Sequence, residues 1–268
     1  MVSIFALDKV LSVDVEYTTT RRQGYVIRRV GTNSSGSARL VIDGKELGVF
    51  KSLVAPLHRT TDNLLGPLDL RDEYYVIPPN TKFKFTGDSG SKCRVIGEVV
   101  QLSPGEGFPS DLMSRFMNQH KVFRTVFEGS FSLGTDVVWK AGAVYEVLSL
   151  TPLTSEKVTL DDVVLVAISG DTVSEGDFGV EFYLDNTPLE PEVAENLMSG
   201  IDSLAMPSPP KGTTEMQAFT LKNFPIEVPG DHTLSVRVRN TSGGDKSPAS
   251  GSSWTVTVTC IARYERVA

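Results

Sequence analysis

Histidine and cysteine are scarce in this chain, with three and two among 268 residues. His58, His120 and His232 are far apart, and none stands in the His-x-Glu, His-x-His or His-x-x-x-His spacing that a zinc or iron site uses. No Gly-x-Ser-x-Gly elbow and no Gly-rich phosphate loop occurs. The expectation is therefore a non-enzyme with no cofactor and no metal. Cys93 and Cys260 each sit in a strand-like run, CRVIGEVVQL and TVTVTCIARY, and read as buried free thiols; a bridge between them is not expected. Long apolar runs are missing too: no window approaches the roughly 20 residues of a membrane helix. The opening MVSIFALDKVL lacks a basic start and its apolar run breaks at Asp8-Lys9, which is not a signal-peptide pattern, so synthesis in the cytosol is expected. Positive charge is also short. A net charge of −7 argues against a general nucleic-acid binder and favours solubility.

What is present is ordinary globular material: 40% hydrophobic and 22% charged residues. The 23 glycines and 15 prolines, with few Ala-Leu-Glu-Lys runs, lean towards strands and turns. One pattern occurs twice. Residues 38–50 read ARLVIDGKELGVF and residues 180–189 read VEFYLDNTPL. In each, an apolar run ends in Asp followed by a residue that tolerates positive φ, and a second run begins. Asp43-Gly44 and Asp185-Asn186 are thus expected as hairpin turns that set strand register.

Further matches follow in the same order. Residues 77–85, IPPNTKFKF, align without a gap on residues 228–236, VPGDHTLSV. Both read as a strand end, a proline turn and a strand of period two. A Gly-Ser-rich loop and a closing strand, 93–102 and 254–264, complete each half, and each closing strand carries one cysteine. Such repetition reads as one fold built twice. The boundary is placed near residue 119, giving units 1–119 and 120–268. Ser110 is expected to cap a short helix with Leu112, Met113, Phe116 and Met117 on one side. Strands are expected at Phe123–Phe127, Phe131–Leu133 and Val137–Trp139. Residues 190–205 are expected as a helix inserted in the second half, with Pro191 near its start and Val193, Leu197, Ile201 and Leu204 as its apolar stripe. Residues 1–11, with Ile4, Leu7 and Leu11 at helical spacing, read as an amphipathic helix or an extended arm. Short strands with long crossing connections describe an all-β chain of two tandem antiparallel jelly-roll sandwiches; the immunoglobulin Cys…Trp…Cys spacing is absent.

Other clusters have plain readings. Asp161-Asp162 suits a solvated turn, and Glu190 with Glu192 suits a helix start. Arg21-Arg22 and Arg28-Arg29 form a small basic cluster best explained by ion pairs. Trp139 and Trp254, with Tyr74 and Tyr75, could form a sugar-stacking platform, but core and interface roles are the expectation.

At the repeated hairpin and proline turn, VIDGKEL (41–47) and VEFYLD (180–185), the chain resembles the double jelly-roll major capsid proteins of tailless icosahedral viruses, including membrane-containing bacteriophages. That resemblance implies a homotrimer whose six barrels make a pseudo-hexagonal tile. Its partners would be itself, neighbouring capsomers, other virion proteins and an internal viral membrane, with no direct nucleic-acid contact. It implies residence in the virion after assembly in the host cytoplasm. Ile4, Leu7, Leu11, Val193, Leu197 and Ile201 are the candidate assembly elements. A spike or minor capsid protein with two β domains, and a carbohydrate-binding tandem sandwich, are the alternative readings.

Overall fold

The computed structural model describes residues 2–34, 37–50, 67–135, 137–169, 177–189, 214–221 and 225–266. The chain divides into two compact units, Met1–Val126 with Arg263–Glu265, and Phe127–Ala262 with Arg266–Ala268. The division falls a few residues beyond position 119, and a short piece of the last strand belongs to the first unit. The described residues are all-β apart from one α-helix and a 3-10 turn.

In the first unit the strands are β1 (Ser3–Ser12), β2 (Tyr17–Thr18), β3 (Gln23–Thr32), β4 (Ala38–Ile42), β5 (Lys45–Phe50), β6 (Leu68–Asp69), β7 (Tyr75–Ile77), β8 (Lys82–Thr86) and β9 (Lys92–Gln101). One sheet runs β1-β9-β3 and continues to β6 and β7, both paired with β3; the other runs β2-β8-β4-β5. Alternation drives this. In KFKFT, Phe83 and Phe85 are buried while the lysines face outwards, and Leu40 and Ile42 do the same in β4. The run GYVI in β3 is buried on both faces for a different reason. Val26, Val100 and Leu102 form an outer cluster covered by Phe108 and by Leu112 of the helix α1 (Ser110–Asn118).

Helix α1 does not begin as the sequence suggests. Pro109, extended at φ −52 and ψ 134, holds the cap position, no side chain caps the helix, and Ser110 is its first helical residue. Proline has no N–H to leave unsatisfied there, so the boundary moves by one residue at little cost. Residues 3–11 form no helix. They make β1, paired in full with β9 from Ser3↔Gln101 to Ser12↔Lys92. Leu7 and Leu11, four apart, share a strand face as readily as a helix face. Both are buried, and together they contribute about 3–6 kcal/mol, which keeps this segment on its own sheet.

The second unit contains most of β10 (Val122–Leu133), then β11 (Val144–Leu150), β12 (Glu156–Leu160), β13 (Val163–Ser169), β14 (Phe178–Leu184), β15 (Thr187–Pro188), β16 (Thr214–Thr220), β17 (Ile226–Val228), β18 (Leu234–Asn240) and β19 (Trp254–Arg266). The two strands expected at 123–127 and 131–133 are one continuous strand, β10. Residues 137–139 form no strand; Trp139 makes only an isolated bridge with Lys246. One sheet runs β16-β13-β19-β12-β17, with β10 also on β19; the other runs β11-β18-β14-β15. If β6 with β7, β12 with β13, and β16 with β17 are each taken as one interrupted strand, the strand order matches the first unit. The core is aromatic: Trp139 lies 4.5 Å from Phe178, which lies 5.8 Å from Trp254, ring centre to ring centre. The helix expected at 190–205, with Val193, Leu197 and Ile201, lies outside the described residues.

Two glycines accompany strand bulges, one in each unit. β3 carries a bulge between Ile27 and Arg29 opposite Gly97, and β11 carries one between Glu146 and Leu148 beside Gly129. A Cβ on Gly97 would lie 2.0 Å from the Val26 carbonyl oxygen, and one on Gly129 would lie 2.1 Å from that of Val147. Only glycine permits so close an approach.

Candidate functional site: the paired turns and the exposed edge strand

The repeated Asp turns are the most regular polar feature of the molecule. Asp43 and Gly44 have φ of 45° and 79°, and Asp185 and Asn186 have 51° and 64°. Positive φ at both central residues is what a two-residue hairpin with right-twisted strands demands. The flanking registers are Ile42↔Lys45 and Leu184↔Thr187.

Each turn is pinned to the neighbouring strand in the same way. The Asp43 N–H donates to the Lys82 carbonyl at 3.0 Å, and the Lys82 N–H donates to Asp43 Oδ1 at 3.3 Å. The Asp185 N–H donates to the Thr233 carbonyl at 2.9 Å, and the Thr233 N–H donates to Asp185 Oδ1 at 2.8 Å. The proline turns match as well. Asn80, φ 58°, donates its N–H to the Thr20 carbonyl, and Asp231, φ 64°, donates to that of Pro152. These carboxylates hold backbone groups and build turns.

The second copy adds His232, whose Nδ1 lies 2.5 Å from Asp185 Oδ2. The Thr233 N–H and then the His232 ring hold the Asp185 carboxyl below the usual carboxylate range.

β1 is the edge of its sheet. It exposes Ile4 at 65%, Phe5 at 57% and Val10 at 52%, while Leu7 and Leu11 face the core. Among the N-terminal candidates, therefore, only Ile4 presents its side chain for contact. The edge is guarded in the manner of natural sheets, by charge in mid-strand. Arg94 donates twice to Asp8, Nε to Oδ1 at 3.0 Å and Nη2 to Oδ2 at 2.8 Å, which lowers the Asp8 carboxyl. Lys9 donates to the Tyr25 hydroxyl at 3.1 Å and lies over that ring. Beside the first Asp turn, a cavity of about 280 Å³ opens between Ile42 and Leu47 on one side and Phe116, Met117 and His120 on the other.

The remaining candidates are dispersed. Trp139 and Trp254 are fully buried, and Trp139 Nε1 donates to the Ala143 carbonyl, so neither is placed to stack on a sugar. Tyr75 is buried, and Tyr74 lies between the guanidinium groups of Arg28 and Arg115. Arg28 pairs with Glu98 and Arg29 with Asp69, while Arg21 and Arg22 are exposed in the turn before β3. Asp161 and Asp162 are half-buried between β12 and β13; Glu190, Glu192 and His58 lie outside the described residues. Cys93 and Cys260 are free and buried. Among the described residues, no group of three His, Cys, Asp or Glu side chains could hold a metal ion, and no helix is long and apolar enough to cross a membrane.

Two charged networks escaped the sequence reading. On the outer face of β14 and β18, Arg239 engages Glu181, Tyr183 donates to Glu181 Oε2 at 2.7 Å, and Arg237 lies 4.0 Å over the Tyr183 ring. The alternation of Arg237 and Arg239 with valines, opposite Glu181 and Tyr183, was the available signal. In the first unit, buried Glu73 meets Arg124 at 3.2 Å. Arg263 Nε lies 3.1 Å from Glu73 at an angle unsuited to a hydrogen bond, which makes that contact an ion pair only.

No protein-family profile and no curated protein matches the chain. Several solved structures are similar in part. The PBCV-1 VP54 structure fitted into a reconstruction of the virophage Sputnik shares 8% identity, covers 99% of this chain and 95% of its own, and has a TM-score of 0.36. Infectious bursal disease virus, Gx strain, shares 13% identity over 100% of this chain and 75% of its own, with a TM-score of 0.25. The ANXUR2 extracellular domain of Arabidopsis thaliana shares 8% identity over 97% and 83%, with a TM-score of 0.30. Likeness at these scores carries no argument about fold or function.

Proposed function

We propose that this chain is a major capsid protein of the double jelly-roll kind, a rigid tile that assembles with copies of itself into a virion shell. The observation that carries the reading is the strand order, repeated in both units. A jelly roll places its first, last, third and sixth strands in one sheet and its second, seventh, fourth and fifth in the other. β1, β9, β3 and β6/β7 with β2, β8, β4 and β5 follow that rule. So do β10, β19, β12/β13 and β17/β16 with β11, β18, β14 and β15. The identical pinning of Asp43 and Asp185 supports two copies of one barrel. Architecture of this type closes most of its edges and presents broad lateral faces, which suits a building block more than a catalyst. In this reading three copies supply six barrels, the protein resides in the virion, and β1 with Ile4, Phe5 and Val10 faces a neighbour or an internal membrane.

Size-exclusion chromatography with light scattering, followed by electron microscopy with the companion virion proteins, tests the proposal. Trimers that form hexagonal tiles are expected. A strict monomer at high concentration, with no shells, would count decisively against it.

A further inference from the structure

The cavity beside the Asp43 turn has a lining that self-assembly does not account for. Its apolar walls are Ile42 and Leu47 of the β4–β5 hairpin and Phe116 and Met117 of the last turn of α1. Its polar groups are Asp43, Lys45, Gln119 and His120. Two of these are engaged. Gln119 is buried, and its amide serves the Val76 backbone: Oε1 accepts the Val76 N–H at 2.8 Å and Nε2 donates to the Val76 carbonyl at 3.1 Å. Asp43 Oδ1 accepts the Lys82 N–H. Lys45, exposed, and His120, half-buried, have no hydrogen bond or ion pair among the described residues. Lys121, exposed just past α1, offsets the partial negative charge of that helix end. The matched turn of the second unit is built differently. Thr187 stands where Lys45 does, Asp185 Oδ2 is held by His232, and no helix flanks the turn among the described residues.

We propose that this cavity binds a single-chain amphiphile with an anionic head, of the medium-chain carboxylate class. The chain lies between the hairpin wall and the α1 wall, and the head accepts hydrogen bonds from the Lys45 ammonium and the His120 imidazole. A methylene takes about the space of a water molecule, roughly 30 Å³, so a void of about 280 Å³ holds about eight to ten carbons and not a two-chain lipid. Apolar walls with a few convergent polar groups are the usual make-up of a small-ligand site. The charge-assisted contact at the mouth fixes which way the chain enters. Asp43, at the same mouth, is the one group that would favour a cationic head, so an amine of equal length is the decisive comparison. A bound chain joins the hairpin turn to α1 and stabilises the folded first unit by mass action. This site does not depend on self-assembly.

The test titrates the full chain with sodium decanoate below its micelle threshold, by isothermal calorimetry and by thermal melts. Decylammonium and butyrate serve as comparison ligands, and Lys45→Glu and Met117→Gln as variants. Lys45 and Met117 are exposed, so neither change should disturb folding, which circular dichroism checks. Decanoate should saturate one site per chain and raise the melting temperature. Butyrate should bind far more weakly, having too little chain to fill the walls. Lys45→Glu should weaken decanoate at least roughly tenfold, the loss of a charge-assisted hydrogen bond. Met117→Gln should weaken it about threefold or more through the lost apolar wall. No saturable binding of decanoate overturns the proposal. So does binding that both variants retain in full, which would place the chain elsewhere, and so does decylammonium binding as tightly as decanoate. None of these results bears on whether the chain assembles.

Discussion

At the scale of single residues, the turn aspartates are structural, and their chemistry predicts how they fail. Asn accepts positive φ and retains one side-chain acceptor, whereas Ala offers neither. Asp185→Ala should therefore lower the melting temperature by several degrees and Asp185→Asn by less, as read by calorimetry. The Asp185 carboxyl is held low in the fold, so its stabilisation is complete above the ordinary carboxylate range and is lost as pH falls through the folded value. The thiols respond in the opposite direction. Burial pushes Cys93 up to about 11 and Cys260 up to about 12, from an ordinary value of 9.0. The fold thus favours the protonated thiols, and stability present below pH 9 declines as pH rises towards those values. For Cys260 the full decline is about 4 kcal/mol. Denaturant titrations between pH 8 and pH 11 should show this fall, with a shallower slope in Cys260→Ala; a parent curve flat over that range would remove the thiols from the account.

At the scale of elements, the bulges of β3 and β11 depend on glycine. Ala at position 97 or 129 would meet a carbonyl oxygen at about 2 Å, so Gly97→Ala should cost about 3 kcal/mol or more in urea unfolding. A loss below 1 kcal/mol would mean that the bulge relaxes freely. Elements were legible where their signals were local. Asp43-Gly44 and Asp185-Asn186 carry turn chemistry within two residues, and FKF in β8 shows its period unaided. β1 was ambiguous because its partner β9 lies some 90 residues away, and spacing alone cannot separate a helix face from a strand face when apolar residues stand four apart. Val137–Trp139 has strand composition, but Trp139 is held by the aromatic core and one bridge instead of a ladder.

At the scale of the whole molecule, the repeat was legible because its turn residues recur in order, whereas the charged networks were not. Glu73 and Arg124 lie 51 positions apart, and nothing local marks either as buried. Glu73→Ala should cost about 3–5 kcal/mol by leaving Arg124 buried without its carboxylate, and a paired Glu73→Leu and Arg124→Met change should recover most of that loss. Equal losses in the single and double variants would show that packing, not charge, dominates there. The third member of that network, Arg263, comes from the last strand although it belongs to the first unit. A ribosome releases this protein from its first residue to its last. The first unit must then wait, nearly whole but with Glu73 lacking one cation, until residues 127–262 of the second unit have been synthesised.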